Sequence, residues 1–144
     1  MTKPITPLLT ADVIIEMPMF DDRPIILIER KYEPYGWAIP GGFVEVGETI
    51  ASSARREALE ETSLDVDLDV LLGIYSNPER DYREHTVCGV FIGNSSGKPV
   101  AADDAKDIAL FDPFNVDVEL AFDHRQILQD YCKYRSEGII LLPE

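Results

Sequence analysis

The sequence has few of the residues that mark disulfide-rich, zinc-binding or nucleic-acid-binding proteins. Its 144 residues include 2 cysteines and 2 histidines, and 13 lysines and arginines stand against 27 aspartates and glutamates. Cys88 and Cys132 are too few for a disulfide framework and lack zinc-ligand spacing, so we expect two reduced, mostly buried thiols in a cytoplasmic protein. The net charge of −14 argues against general nucleic-acid binding.

Long apolar runs are also missing. No stretch approaches the roughly 20 residues of a membrane span. The N-terminus lacks a basic start followed by an apolar stretch, so we expect neither a membrane segment nor a secretory signal. The length, with 45% hydrophobic and 28% charged residues, is typical of one globular domain. An acidic protein can still act on phosphates when a divalent metal supplies the positive charge.

The order of strand-like and helix-like stretches predicts an α/β (α+β) sandwich with mixed strand pairing. Runs of β-branched residues and alternating apolar residues predict strands at 9–17, 25–29, 37–39, 66–75, 85–92 and 108–111. The first two strands are expected to form a hairpin. Helices are predicted at 49–62 and 117–134, the second with an apolar stripe of Leu120, Ala121, Ile127, Leu128, Tyr131 and Cys132.

The most informative stretch runs from Gly42 to Leu64. After a double glycine, Thr49 is suited to cap a helix, because its hydroxyl can accept from free backbone donors in the first turn. Glu57, Glu60 and Glu61 are spaced at i, i+3 and i+4, which places them on one helical face. Repulsion at this spacing costs roughly 0.2–0.5 kcal/mol per pair, so such a face favours bound cations.

This spacing resembles the signature of the Nudix hydrolases, which runs from a glycine through a glutamate, an Arg-Glu pair and a Glu-Glu pair. Gly42, Glu48, Arg56, Glu57, Ala58, Glu60, Glu61 and Leu64 stand at the signature positions, and Ser63 stands where the family usually has glycine. A serine in a left-handed helix cap costs about 1 kcal/mol, or the chain leaves the helix by another route. The resemblance implies a single Nudix domain over residues 1–144, with a central mixed sheet between helices.

The resemblance also implies roles for individual residues. The carboxylates of Glu57, Glu60 and Glu61, with the carbonyl of Gly41, are expected to bind Mg²⁺ or Mn²⁺. The expected catalytic residues are Glu60, Glu61, Arg56 and Asp104. Arg56 would orient a ligating glutamate, and Asp104 would supply a base from a later loop. Glu48 is assigned a structural or outer-sphere role. The alternatives are a solvated acidic helix face and a charged loop tip.

A second stretch, residues 75–85, narrows the substrate. It resembles a segment of short ADP-ribose pyrophosphatases of this family, Tyr-Ser-x-Pro-x-Arg-Asp-Pro-Arg-x-His, with Tyr82 in place of the second proline. Arg80, Arg83 and His85 are therefore expected to bind substrate, since guanidinium groups bind phosphate in bidentate fashion. In the alternative, the arginines pair with neighbouring acids at the surface and His85 is structural.

Together these features predict Mg²⁺-dependent hydrolysis of the pyrophosphate bond of a nucleoside diphosphate derivative, with ADP-ribose giving AMP and ribose 5-phosphate. The alternatives are a nucleotide sugar or an oxidised nucleoside triphosphate as substrate, or a catalytically idle domain that senses a nucleotide. Related pyrophosphatases are often homodimers, so a homodimer is expected. His124 is interpreted as a histidine at the edge of the core, and Arg30 and Lys31 as solvated charges.

Overall fold

Seven strands and two helices follow one another in residues 2–143, the part of the chain that the computed structural model describes. The strands are β1 (Leu8–Glu16), β2 (Ile25–Arg30), β3 (Trp37–Ala38), β4 (Gly41–Phe43), β5 (Asp67–Tyr75), β6 (Thr86–Asn94) and β7 (Ala105–Phe111). The helices are α1 (Ile50–Thr62) and α2 (His124–Glu137). Neither helix is long and apolar enough to cross a membrane.

Strand β1 lies inside a mixed sheet. It runs parallel to β6 from the pair Leu8 and Thr86 to the pair Glu16 and Asn94, and antiparallel to β2 and β4. Strand β5 pairs with β6, and β2 also pairs with β3 and β7. This sheet confirms the predicted mixed pairing and fold class.

The side chains of β1 alternate between two helix-covered faces. Ala11, Val13 and Ile15 pack against Ala54 and Ala58 of α1, and all five are completely buried. Small side chains on α1 allow its backbone to lie close to the sheet. On the other face, Ile14 belongs to a cluster with Ile127, Leu128 and Tyr131 of α2. Asp12 shares this second face by the same alternation, which directs its carboxylate away from α1.

Both ends of α1 are capped, the first by the side chain of Thr49 and the last by the backbone of Ser63. The Thr49 hydroxyl accepts a hydrogen bond of 3.0 Å from the Ser52 N–H. Ser63 adopts the left-handed conformation with φ of 62°, and its N–H donates to the Leu59 carbonyl. The serine therefore adopts the conformation for which the Nudix signature usually has glycine.

The predicted start of the second helix is wrong. Helix α2 begins at His124 instead of residue 117, and it extends to Glu137. Residues 119–121 are extended instead: the Trp37 N–H donates to the Glu119 carbonyl, and the Ala121 N–H donates to the Trp37 carbonyl, both at 2.9 Å. Leu120 and Ala121 therefore do not belong to the helical stripe. Pairing with a strand more than 80 positions away overrides a local apolar spacing that fits a helix.

Candidate active site

A cavity of about 360 Å³ lies between strand β4, helix α1 and the residues at the start of α2. Six of the predicted site residues line it, namely Gly41, Glu57, Glu61, Arg80, Arg83 and Asp104. Arg56, Glu60 and His85 are not part of its lining. The sheet and α1 thus bring together residues that are as far apart in the chain as Gly41 and Asp104.

Glu61 is the most deeply placed of the predicted carboxylates. Only 5% of its surface is exposed, and its Oε1 accepts a hydrogen bond of 2.8 Å from the Gly41 N–H. Burial raises the pKa of Glu61 to about 8, and the nearby carboxylates of Glu57 and Asp12 contribute to the rise. Burial also raises the pKa of Glu57. A site that disfavours its own negative charges in this way favours a bound cation.

The double glycine creates the space that two carboxylates occupy. A Cβ atom at position 41 would lie 1.8 Å from Oδ1 of Asp12 and 2.5 Å from the Ala11 carbonyl oxygen. A Cβ atom at position 42 would lie 2.6 Å from the carboxyl carbon of Glu57. Carboxylate and carbonyl oxygens are the donors that hard divalent cations prefer, so the residues present fit such an ion.

Arg56 connects the glutamates of the signature. Its Nε and Nη2 donate to both carboxylate oxygens of Glu48 at 2.7 and 2.8 Å, and its Nη1 donates to Glu57 at 2.9 Å. These bonds lower the pKa of Glu48 to about 2. Nη1 also lies 3.3 Å from Oε2 of Glu60. Arg56 therefore contacts both Glu57 and Glu60 from outside the cavity lining, and its role in orienting a metal ligand stays a prediction.

The three carboxylates among the predicted metal ligands are not equally placed. Glu57 and Glu61 line the cavity, whereas the side chain of Glu60 is 42% exposed and turned toward Arg56. Across residues 2–143, no three histidine, cysteine or carboxylate groups converge closely enough to hold a metal ion as they stand. The positions of these side chains thus separate Glu60 from the two carboxylates that line the cavity.

Both predicted substrate-binding arginines, Arg80 and Arg83, are paired with carboxylates of the protein. Arg80 is buried and donates to Asp123 at 2.7 and 3.0 Å and to Thr86 at 2.7 Å. Arg83 is partly exposed and pairs with both carboxylate oxygens of Asp81 at 2.8 and 3.0 Å. Both arginines thus form ion pairs within the protein while lining the cavity.

Asp104 lines the cavity, whereas His85 does not. The Nε2 of His85 is 3.0 Å from the Ser76 carbonyl oxygen, and the residue is exposed outside the cavity lining. Asp104 is exposed and lines the cavity, and its carbonyl accepts from the Lys31 N–H. The fold therefore brings Asp104 to the predicted site and leaves His85 outside it.

A buried pair that sequence reasoning missed forms part of the cavity wall. The Nδ1 of His124 accepts from the Ile39 N–H at 3.0 Å, so the ring proton lies on Nε2, which is 3.2 Å from Oδ2 of Asp12. His124 is 2% exposed and Asp12 is 6% exposed. Asp12 could have been found from the sequence, because it is an acidic residue inside the apolar run of β1. Nothing local in the sequence indicates that His124 is its partner.

The comparison with known families agrees with this geometry. A family model described as the NUDIX domain matches residues 9–131. The chain belongs to the Nudix family. This confirms the predicted family and the predicted enzyme class, a Nudix pyrophosphohydrolase.

Several known proteins resemble this Nudix chain. An ADP-ribose pyrophosphatase of Methanocaldococcus jannaschii is 44% identical over 133 residues, which cover 90% of this chain and 76% of that protein. A MutT/Nudix family protein from Enterococcus faecalis has a TM-score of 0.79 and 26% identity, covering 94% of this chain and 65% of that one. A bifunctional NMN adenylyltransferase/ADP-ribose pyrophosphatase from Francisella tularensis, complexed with AMP and a manganese ion, has a TM-score of 0.77 and 27% identity, covering 89% of this chain and 42% of that one.

Proposed function

We propose that this Nudix chain hydrolyses the pyrophosphate bond of ADP-ribose to give AMP and ribose 5-phosphate, with Mg²⁺ or Mn²⁺ as the cofactor. The observation that carries the proposal is a single cavity lined both by two carboxylates, the half-buried Glu57 and the buried Glu61, and by the guanidinium groups of Arg30 and Arg83. Such a cavity suits a diphosphate together with a divalent cation. The carboxylates attract the cation, and the guanidinium groups attract the diphosphate.

The acidic part of the cavity would hold the ion. Glu57 and Glu61 would be joined by Glu60 and by the carbonyl of Gly41, as the signature implies. When bound, a divalent ion neutralises phosphate charge and lowers the pKa of a coordinated water. Arg56 keeps Glu57 in position by its hydrogen bond of 2.9 Å.

Asp104 is the proposed proton acceptor. It lines the cavity from the loop before β7, and a carboxylate there could take a proton from the water that attacks phosphorus. The water oxygen forms the new bond to phosphorus while the bridging P–O bond breaks, so the two products separate as monophosphates. Arg30 and Arg83 would bind the phosphate oxygens and fix their direction relative to that water.

The relatives support ADP-ribose as the substrate. The archaeal protein, at 44% identity, and the Francisella protein, at 27%, both carry the name ADP-ribose pyrophosphatase. The Francisella complex with AMP and manganese also fits the proposed product and cofactor. The similarity therefore favours ADP-ribose over the nucleotide sugars and oxidised nucleoside triphosphates that the sequence leaves open.

The extent of the domain and the homodimer stay predictions. Exposed apolar side chains on β5 and in the segment after α2, namely Leu71, Ile74 and Leu142, offer surface that a second copy could cover. Size-exclusion chromatography with light scattering measures the mass directly. A monomer at every concentration in the micromolar range would contradict the homodimer.

The proposed activity is tested by AMP release from ADP-ribose with Mg²⁺, with Mn²⁺ and with EDTA. We expect turnover with either metal and none with EDTA, and a large loss of activity for Glu61→Gln. A panel of nucleotide sugars and oxidised nucleoside triphosphates tests the alternative substrates. Binding of ADP-ribose without turnover would indicate a nucleotide sensor instead. Full activity of Glu61→Gln would contradict the proposed metal site.

A further inference from the structure

Arg30, the last residue of β2, brings a guanidinium group into the cavity without a carboxylate partner. Its Nε donates to the Pro34 carbonyl at 2.6 Å and its Nη2 to the Glu33 carbonyl at 3.4 Å. Among the ion pairs formed by residues 2–143, none involves Arg30. The side chain is half-buried and lines the cavity. Its charge therefore remains available for an anion that enters there.

Two guanidinium groups converge on one aromatic ring. The Arg30 guanidinium carbon lies 4.9 Å from the centre of the Phe122 ring, and that of Arg83 lies 5.4 Å from it. Nη1 of Arg83 is also 3.5 Å from the Glu33 carbonyl oxygen, which accepts from Arg30 as well. Both distances to the ring are within the range of cation–π attraction, so Phe122 helps hold two like charges together.

The proximity of these two cations is unfavourable without an anion. Burial lowers the pKa of Arg30 and the positive charge of Arg83 lowers it further, whereas the carboxylates of Glu61, Asp81 and Asp104 only partly offset this decrease. Arg83 is partly neutralised by Asp81, but Arg30 has only carbonyl oxygens as partners. A phosphate group beside both guanidiniums would remove the repulsion and accept hydrogen bonds from each.

The two residues that follow Phe122 are held in place by contacts with other parts of the fold. Asp123 is held by two hydrogen bonds from the buried Arg80, and His124 is held by Ile39 and Asp12. Phe122 itself has a φ of 56°, a conformation that is uncommon for a bulky residue and that persists only where neighbours enforce it. The ring is thus in place before substrate arrives, which reduces the entropy lost on binding.

We propose that Arg30 and Arg83, stacked on Phe122, form a subsite for a phosphate group of the substrate, and that Arg30 supplies more of the affinity than Arg80. Only the identity of the substrate rests on the proposed function. Arg80 uses three of its five N–H donors on Asp123 and Thr86, one from each guanidinium nitrogen, so its role is to position the Phe122 segment. Arg30 and Arg83, and not Arg80, are then the residues that recognise the diphosphate by charge.

The subsite is tested without turnover by titrating inorganic pyrophosphate into the metal-free protein in EDTA, by isothermal calorimetry. Arg30→Met removes the guanidinium and keeps a long apolar side chain. Arg55→Met is the matched control, since Arg55 is an exposed arginine on α1 outside the cavity lining. We expect wild type and Arg55→Met to bind equally and Arg30→Met to bind at least about tenfold more weakly, the scale of one lost charge-assisted pair. Equal affinity of Arg30→Met and wild type, or no binding by wild type at millimolar pyrophosphate, would overturn the proposal.

Two further variants separate binding from folding. Arg30→Lys keeps the charge and loses the planar fork, so an affinity between those of wild type and Arg30→Met is expected. Phe122→Leu removes the aromatic ring and should bind pyrophosphate several-fold more weakly than wild type. Thermal unfolding of each variant identifies any that fail to fold. If Phe122→Leu folds and binds like wild type, the ring has no part in the subsite.

Kinetics on ADP-ribose then connect the subsite with the proposed reaction. Arg30→Met should raise KM more than it lowers kcat, because the subsite binds substrate and transition state alike. If wild type fails to hydrolyse ADP-ribose but loses pyrophosphate affinity on Arg30→Met, the proposed function fails and the subsite stands. If wild type hydrolyses ADP-ribose and Arg30→Met changes neither KM nor pyrophosphate affinity, the subsite fails and the function stands.

Discussion

In the metal-free protein, we expect the free energy of unfolding to fall as the pH rises from about 5 to about 8, because folding buries the carboxyl of Glu61. Burial raises the pKa of Glu61 from an ordinary 4.5 to about 8, and the charges of Glu57 and Asp12 add to the rise. Between these two values the unfolded chain has lost the Glu61 proton while the folded protein keeps it. The folded state therefore binds more protons, and raising the pH favours unfolding. This contribution is complete below the lower value and is lost as the pH passes the higher one.

The size of this effect follows from the difference between the two values. A pKa of about 8 against 4.5 corresponds to about 5 kcal/mol at most, with 1.36 kcal/mol for each pKa unit. Water that enters the open cavity stabilises the charged carboxylate and reduces this figure. We therefore expect a measured decrease of about 2–3 kcal/mol for Glu61 between the two pH limits.

Urea unfolding in EDTA at several pH values measures the effect. The quantity to compare is the slope of the unfolding free energy against pH, in wild type and in Glu61→Gln, because glutamine has no proton to lose. Glu60→Gln is the control, since Glu60 lies on the same helix with a side chain that is 42% exposed. We expect the slope to flatten in Glu61→Gln and to persist in Glu60→Gln. An unchanged slope in Glu61→Gln would refute the reasoning, and so would an equal flattening in both variants.

Three smaller changes test other parts of the site and of α1. Arg56→Lys should lower Mn²⁺ affinity about tenfold in an electron paramagnetic resonance titration, because lysine cannot bridge Glu48 and Glu57 as the guanidinium does; unchanged affinity would argue against that bridging role. Ser63→Gly should raise the free energy of unfolding by about 0.5–1 kcal/mol, because position 63 has a φ of 62° that glycine adopts without strain; urea unfolding measures it, and a decrease would contradict it. Gly42→Ala should fold but bind Mn²⁺ about tenfold more weakly, since the new Cβ would lie 2.6 Å from the Glu57 carboxyl carbon; wild-type affinity would show that Glu57 can move aside at no cost.

The sequence was a reliable guide where local pattern and tertiary packing agree. The strands β1 and β2 and the helix α1 lie within two residues of their predicted bounds, and Thr49 caps α1 as expected. The small residues Ala54 and Ala58 of this helix face the sheet. In these elements the hydrophobic period, the cap and the burial all favour the same structure.

It was a poor guide where contacts between distant residues decide the outcome. The start of α2 was misplaced because residues 119–121 pair with the backbone of Trp37. Arg80 was expected to pair with a neighbouring acid or a phosphate, and it pairs with Asp123, 43 positions later. His124 was interpreted as a histidine at the edge of the core, and its ring is also the partner of Asp12. Sequence spacing carries no information on such contacts between distant residues, since each contact depends on how strands and loops are placed in the fold.

The sequence by itself determined that three glutamates share one face of a helix that begins soon after a double glycine, because helical spacing and glycine's lack of a side chain are local properties. Only the tertiary structure decided which charges reach the cavity. It buried Glu61, turned Glu60 toward Arg56, and left Arg30 without a carboxylate partner in the described chain. The physical reason is that burial and counter-ion contact depend on the surroundings of each side chain, and residues distant in the sequence supply those surroundings.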